Sequence, residues 1–325
     1  MAHSSPILTA TSLKTADPSV RITSVAGWPA PYHGKVRDVY TLNEKTLAIV
    51  VTDRISAFDH IMIQPIPYKG QILNRLAAFG FEQVKDLVPT FVESVPHANV
   101  MIGKRCDPIP IEVVMRGTLT GHAWRVYRDG GRELCGVTLP EGMQEHQRFE
   151  SPILTPATKA VEGHDEDISE AEILTQGIVD PTLWENIRET AYRLFTRGQE
   201  VAAKQGLLLA DTKYEFGLFE GELTLIDEIH TTDSSRFFYL DGYETRQANG
   251  DGQTQLSKEF LREWLMEHGF QGLEGQSLPD LPDEFRMHVF ERYAEVFERM
   301  TGMSFEPEST EGLNERLAEL FSEVV

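Results

Sequence analysis

Two β-rich runs, VYTL and TLAIVV, flank Asn43-Glu44-Lys45 within residues 38–51, which is the pattern of a hairpin. Downstream the spacing lengthens. Ile72, Leu73, Leu76, Ala77 and Phe79 repeat at helical intervals and predict a helix over residues 71–84. Pro108, Pro110 and the apolar run 111–115 mark a connection into a new strand. Ser169 and Glu172 form a capping box, in which each side chain satisfies an orphan amide of the other. Asp180-Pro181 opens a long helix that Gly206 ends. LLLADTKYEFGLF and LTLIDEI follow and read as an antiparallel pair joined by Glu220-Gly221-Glu222. Ser257 caps a helix with Phe260, Leu261, Trp264 and Leu265 on its apolar face. Two more helices are expected over residues 283–300 and 310–322. Helices and hairpins mix without βαβ alternation, so the fold class is α+β rather than a doubly wound sheet.

At 325 residues the chain exceeds one ordinary core, and two domains are expected at roughly 100–200 residues each. The boundary falls near residue 110. Residues 1–20 read as a mobile polar tail, 21–110 as a β-rich N-terminal lobe and 111–325 as a larger α+β lobe. Acids outnumber bases, 51 to 30, and the net charge of −21 repels nucleic acid and anionic membranes. A bound phosphate must therefore meet a local cluster of Lys and Arg. The two cysteines form no CxxC, no run of 18 apolar residues occurs, and the N-terminus lacks a basic stretch followed by an apolar one. A reducing, cytoplasmic setting is expected.

Asp211, Lys213 and Glu215 share one face of their strand, since side chains alternate with period two. A solvated charged face explains them simply. A three-residue turn would also set Glu215 opposite Asp227, and facing carboxylates destabilise a sheet unless a cation joins them. Mg²⁺ accepts one or two carboxylates plus substrate phosphates. A two-residue turn would break that register. Gly34-Lys35-Val36-Arg37 offers amides and charge to a phosphate, or is an ordinary turn. Arg116 and the small residues up to Gly121 precede a short helix ending near Gly130, either an anion site or a capped loop with Trp124 in the core. An ordered loop follows Thr155-Pro156-Ala157-Thr158-Lys159, where His164 beside acids lacks the partners of a zinc site. Thr231 to Arg236 would lie at the rim of the charged face.

These stretches together resemble the SAICAR synthetase family. They are GKVRDVY (34–40), TDRISAFD (52–59), KGQILN (69–74), EVVMRGTLTGHAW (112–124), TPATKAVEGHDEDIS (155–169), ADTKYEFG (210–217), LIDEIHTTDSSRF (225–237) and LSKEFLREWL (256–265), all in family order. The length is similar to the longer form of the family. The resemblance implies a two-lobed, ATP-grasp-like architecture and an ATP-dependent ligase of purine biosynthesis. The expected partners are ATP, L-aspartate and CAIR, a phosphoribosyl aminoimidazole carboxylate. CAIR and aspartate are joined through an acyl phosphate, and the enzyme is expected as a monomer.

By resemblance, Gly34, Lys35, Val36 and Arg37 cover the ATP phosphates, and the segment from Ile109 to Glu112 holds the adenine. Glu215 and Asp227 match Mg²⁺ ligands, and Lys213 matches a lysine at the phosphates. Lys213, Asp211 and Lys35 are the expected catalytic groups, with Asp211 the candidate acceptor of the amine proton. Arg116, Ser235, Arg236, Lys258 and Arg262 match positions for CAIR or aspartate. Lys159 and Asp165 lie on the active-site loop, and Ser56 and Asp59 beside the reacting groups. His122 stands where the family often has Ser, at a position associated with the substrate phosphate, and Arg37 is Lys in some members. Three rivals are a ligase for other substrates, a phosphotransferase and a nucleotide sensor. The chain lacks the HRD and DFG segments of a protein kinase, and it keeps Lys35, Lys213, Glu215 and Asp227, which a sensor would be expected to lose.

Overall fold

A computed structural model describes residues 8–159 and 166–324. Two compact units emerge. One comprises the described parts of Met1–Ala78, together with Val92–Arg105 and the described parts of Ser257–Val325. The other comprises Phe79–Phe91 and Cys106–Leu256, within which residues 160–165 are not described. The fold is mixed α+β, with separate sheets in the two units.

The first unit opens with α1 (Ala10–Thr15), then β1 (Tyr32–His33), β2 (Arg37–Thr41), β3 (Thr46–Val51), β4 (Ser56–Ala57) and β5 (His60–Ile61). Helix α2 (Lys69–Val84) begins in this unit, its residues from Phe79 on belonging to the other, and β6 (Val92–His97) and β7 (Val100–Lys104) follow in the first unit. The sheet order is β1-β2-β3-β7-β6, and β2 and β3 form the expected hairpin. Residues 8–20, expected within a mobile tail, instead fold. Thr9 and Ser12 form a capping box on α1, Leu13 is buried, and Val20 donates its amide to Asp53 at 2.6 Å. Helices α7 (Glu259–Glu267), α8 (Asp283–Thr301) and α9 (Leu313–Val324) come last and group with this unit, whereas the sequence reading placed them with residues 111–256. The reason is packing. Leu313, Leu317 and Phe321 of α9 share a core with Tyr40, Ala48, Val50, Val100 and Ile102.

The second unit contains β8 (Asp107–Thr118), α3 (Gly121–Arg128), β9 (Glu133–Leu134), β10 (Val137–Thr138), β11 (Arg148–Leu154) and β12 (Ala157–Thr158). It continues with α4 (Glu170–Thr175), α5 (Pro181–Lys204), β13 (Leu207–Phe219), β14 (Glu222–Ile226), β15 (Ser235–Tyr239), α6 (Tyr243–Asn249) and β16 (Gln255–Leu256). Its main sheet runs β11-β8-β13-β15-β16, with β14 also on β13 and β12 on β8. The capping box at Ser169 and Glu172 is present, and Asp180 caps α5 with Pro181 at its first position.

Helix α5 packs on β13, where Gly198 leaves room for the His230 imidazole. That ring is hydrogen bonded to the Tyr214 hydroxyl at 2.7 Å. Tyr214 alternates with Lys213 and Glu215, so the charged side chains lie on the other face of the strand. Among the described residues, no helix is long and apolar enough to cross a membrane. Both cysteines are free thiols.

Candidate functional site

Strand β13 has two long neighbours, β8 and β15, and the register sets what its charged face meets. Asp211 lies opposite Arg116 of β8 and Arg236 of β15. Its Oδ2 accepts from Arg236 Nη1 at 2.6 Å and lies 3.5 Å from Arg116 Nη1. Arg116 is nearly buried and also donates from Nε to the Thr155 hydroxyl at 2.8 Å. Burial pulls its guanidinium pKa down, and Asp211 resists that fall. A carboxylate between two arginines orients both guanidinium forks. Arg236 also presses against α3. A Cβ on Gly121 would lie 2.6 Å from Arg236 Nη1, and Gly121 has a φ of +57°, so glycine is required there on both counts.

Further along β13, Glu215 faces Glu112 of β8. Lys213 neutralises that like-charge pair, with Nζ 2.7 Å from Glu112 Oε1 and 3.2 Å from Glu215 Oε1. Lys159 reaches the other oxygen of Glu215. Burial and then the charge of Asp227 push the Glu215 carboxyl up, while Lys213 and Lys159 oppose them. Burial alone would lower Lys213, but Glu215, Glu112 and Asp227 hold its ammonium well above the ordinary lysine value.

The expected register of Glu215 and Asp227 is corrected here. The turn contains two residues, Glu220 and Gly221, with φ of 52° and 85°, and Glu215 pairs with Ile226. Two left-handed turn residues match the twist of the strands they join, which favours the tighter loop. Asp227 lies one residue beyond β14 at a φ of 65°, and its charge still acts on Glu215. The cross-strand argument for a cation therefore fails, while the shared field between the two acids stands. Among the described residues, no group of three or more His, Cys, Asp or Glu is gathered for a metal. Two carboxylates in one field nevertheless suit Mg²⁺, which takes its remaining ligands from phosphates and water.

The first unit carries a second constellation. Gly34 donates its amide to the Arg37 carbonyl at 2.8 Å, closing a tight turn. Arg54 clamps it from beneath, donating to the carbonyls of Gly34 and Lys35 and to Asp38 Oδ1 at 2.8 Å. Burial raises the Asp38 carboxyl, but bonds from Arg54, His33 and Thr23 outweigh that and leave it below the usual range. Lys35 pairs with Asp59. Asp59 and Phe58 form the turn between β4 and β5, both left-handed at 63° and 51°.

The sequence model of the SAICAR synthetase family matches residues 30–276. A phosphoribosylaminoimidazole-succinocarboxamide synthase from Bacteroides fragilis is 51% identical over 292 residues, covering 90% of this chain and 93% of that protein. This chain belongs to the SAICAR synthetase family. A Legionella pneumophila protein of the same name is 42% identical, over 88% of this chain and 92% of its own. The solved SAICAR synthase from Saccharomyces cerevisiae, complexed with SAICAR, is 33% identical with a TM-score of 0.77, covering 89% of this chain and all of that one. A SAICAR synthetase in complex with ADP, at 22% identity and a TM-score of 0.65, shares the fold.

The SAICAR synthetase chain brings Arg116, Lys159, Asp211, Lys213, Glu215 and Arg236 to one sheet face, with Glu112 opposite Glu215. Ile109 and Glu112 lie inside β8 rather than in a connecting hinge. The segment 231–236, expected at the rim of the charged face, divides. Arg236 lies on that face, but the Ser235 hydroxyl bonds Thr212 at 2.8 Å and Ser234 at 3.3 Å on the opposite one. His122, at the start of α3, is bonded through Nε2 to Asp167 Oδ2 at 2.6 Å. Asp165 and His164 lie outside the described residues. Gly34, Lys35, Val36, Arg37, Ser56, Asp59, Lys258 and Arg262 belong to the first unit. Arg262 there pairs with Glu259 at 2.8 Å.

Sequence reasoning gave Arg54 and Asp38 no role and named Thr155 only within the ordered-loop stretch. Arg54 follows Asp53 in the TDRISAFD stretch, and a charge inside a family motif was the available signal.

Proposed function

We propose that this chain acts as a phosphoribosylaminoimidazole-succinocarboxamide synthase, an ATP-dependent ligase of purine biosynthesis. It joins the carboxylate of CAIR to the amine of L-aspartate, giving SAICAR, ADP and phosphate. The observation that carries the reading is the charged face of β13, where Asp211 anchors two arginines and Lys213 and Lys159 flank Glu215. Three anionic substrates must meet in this reaction, and in a chain of net charge −21 this face gathers Arg116, Arg236, Lys159 and Lys213.

The reaction is assigned an acyl phosphate. A CAIR carboxylate oxygen attacks the γ-phosphorus and ADP leaves; the aspartate amine then attacks the activated carbonyl and phosphate leaves. Arg116 and Arg236 bind the anionic groups of CAIR and aspartate, and His122 faces the substrate phosphate. Asp211 is committed to two guanidinium groups, so its place is as their anchor rather than as acceptor of the amine proton. Lys213 steadies charge on the transferring phosphoryl group. Lys35 and Arg37 hold phosphate oxygens, with Gly34 and Val36 supplying backbone, and Ile109 to Glu112 borders the adenine. Ser56, Asp59, Lys258, Arg262, Ser235 and Asp165 complete the substrate contacts. Glu215 and Asp227 would hold Mg²⁺, which supplies charge neutralisation on the triphosphate when bound. The architecture is read as two-lobed and ATP-grasp-like, and the enzyme as a cytoplasmic monomer without nucleic-acid or membrane partners.

The test is to supply ATP, aspartate and CAIR together and weigh the product. SAICAR should form with one ADP per turnover. ADP without an amide product, or equal turnover with other amino acids, would overturn the assignment.

A further inference from the structure

Lys159 is the unusual member of the charged face. It stands at the stem of a loop that closes where Thr158 donates its amide to the Glu166 carbonyl at 2.9 Å. Its side chain is nearly half exposed at 43%, yet its ammonium bonds a carboxylate that is only 7% exposed. Glu215 does not lack a cation without it, because Lys213 already holds the other oxygen. Both oxygens of Glu215 are therefore taken, Oε1 by Lys213 and Oε2 by Lys159. A divalent cation that binds Glu215 must take the place of one ammonium. Lys213 is tied to Glu112 as well as Glu215 and lies in the strand, so it is the less free to go. Lys159 has a flexible four-carbon stem and solvent beside it.

We infer that Lys159 is a resident counter-ion of Glu215 that the divalent metal displaces, and that the released ammonium turns to the incoming anionic substrate. This rests on the assignment of the metal to Glu215 and Asp227. Without metal, Lys159 occupies the Glu215 oxygen that Lys213 leaves open. With metal and nucleotide present, the same lysine becomes available to the substrate's anionic oxygens. Metal loading and substrate capture are thereby coupled through one side chain, with no backbone change required.

Two measurements separate the exchange from the metal assignment beneath it. The first uses Mn²⁺ as a spectroscopic probe, without nucleotide. Lys159→Gln should bind Mn²⁺ on the order of tenfold more tightly than the wild type, the scale on which one adjacent charge moves an ionic equilibrium. Lys159→Arg should stay near the wild type. The second uses unmutated protein and an amine-acylating reagent, with modification read by peptide mass. Lys159 should become more reactive when Mn²⁺ and ADP are added together. Unchanged or weaker Mn²⁺ binding in Lys159→Gln, or unchanged Lys159 reactivity, overturns the exchange. Unchanged Mn²⁺ binding in Glu215→Gln instead overturns the metal assignment itself.

Discussion

Glu215 holds a charge that its surroundings disfavour. Burial and Asp227 both push its carboxyl towards protonation, and two lysines oppose them. Such an arrangement is costly for stability alone, which is why Glu215→Gln is expected to spare the fold. Turnover should fall by about 10²–10³, the usual effect of removing one preorganised charge contact, while thermal melting stays close to wild type. Gly121 makes the opposite case. Gly121→Ala adds a carbon against Arg236 and strains a left-handed backbone, so the guanidinium must move. The KM for CAIR should rise at least about tenfold, roughly the 1.4 kcal/mol of one displaced contact, with a smaller change in kcat. The common face of Asp211, Lys213 and Glu215 was legible because alternation needs only a strand. Their partners were not, because Arg116 and Arg236 arrive from strands that sequence spacing does not align.

At the scale of elements, local chemistry read well. The capping box at α4 is complete, with Ser169 Oγ accepting from Glu172 N at 3.2 Å and Glu172 Oε2 accepting from Ser169 N at 2.9 Å. Ser169→Ala should lower the melting temperature by about 2–4 °C, measured by calorimetry, with kinetic constants unchanged. The β13–β14 turn read less well. Whether it holds two residues or three depends on the sign of φ at Glu220, a residue without the glycine preference that would announce it. One residue of slip was enough to move Glu215 from Asp227 to Ile226. The turn at Phe58 and Asp59 was equally hidden. Its left-handed pair is pressed by Gly272, where a Cβ would lie 2.9 Å from Phe58 Cβ, and that contact spans more than two hundred residues of sequence.

For the molecule as a whole, buried histidines weaken the fold at acid pH. Burial lowers His230 to about 3, whereas an unfolded histidine titrates near 6.5. The folded form therefore excludes a proton that the unfolded chain takes up, and stability is lost as pH falls from about 6.5 towards 3. Between pH 7 and pH 5 this one group should remove about 2 kcal/mol from the unfolding free energy. Urea titrations at both values should show a shallower loss in His230→Gln than in the wild type. His146, lowered to about 4 by burial and by Arg236, should account for part of the slope that remains. The grouping of the chain was the least legible feature. Two domains could be expected from length, but the apolar stripe of α9 is the same whichever sheet it covers, and only the packing of Leu313, Leu317 and Phe321 reveals its partner.

That packing has a temporal meaning. Cys106–Leu256 can collapse as soon as it emerges from the ribosome, because most of what it pairs with lies within that one stretch. The sheet begun by residues 32–51 must wait with the part of its apolar face that Val20 and Val25 do not cover open until Leu313 and its neighbours are synthesised. During translation, the earliest strands are thus among the last to be sheltered, and that interval is when a chaperone would matter most to this chain.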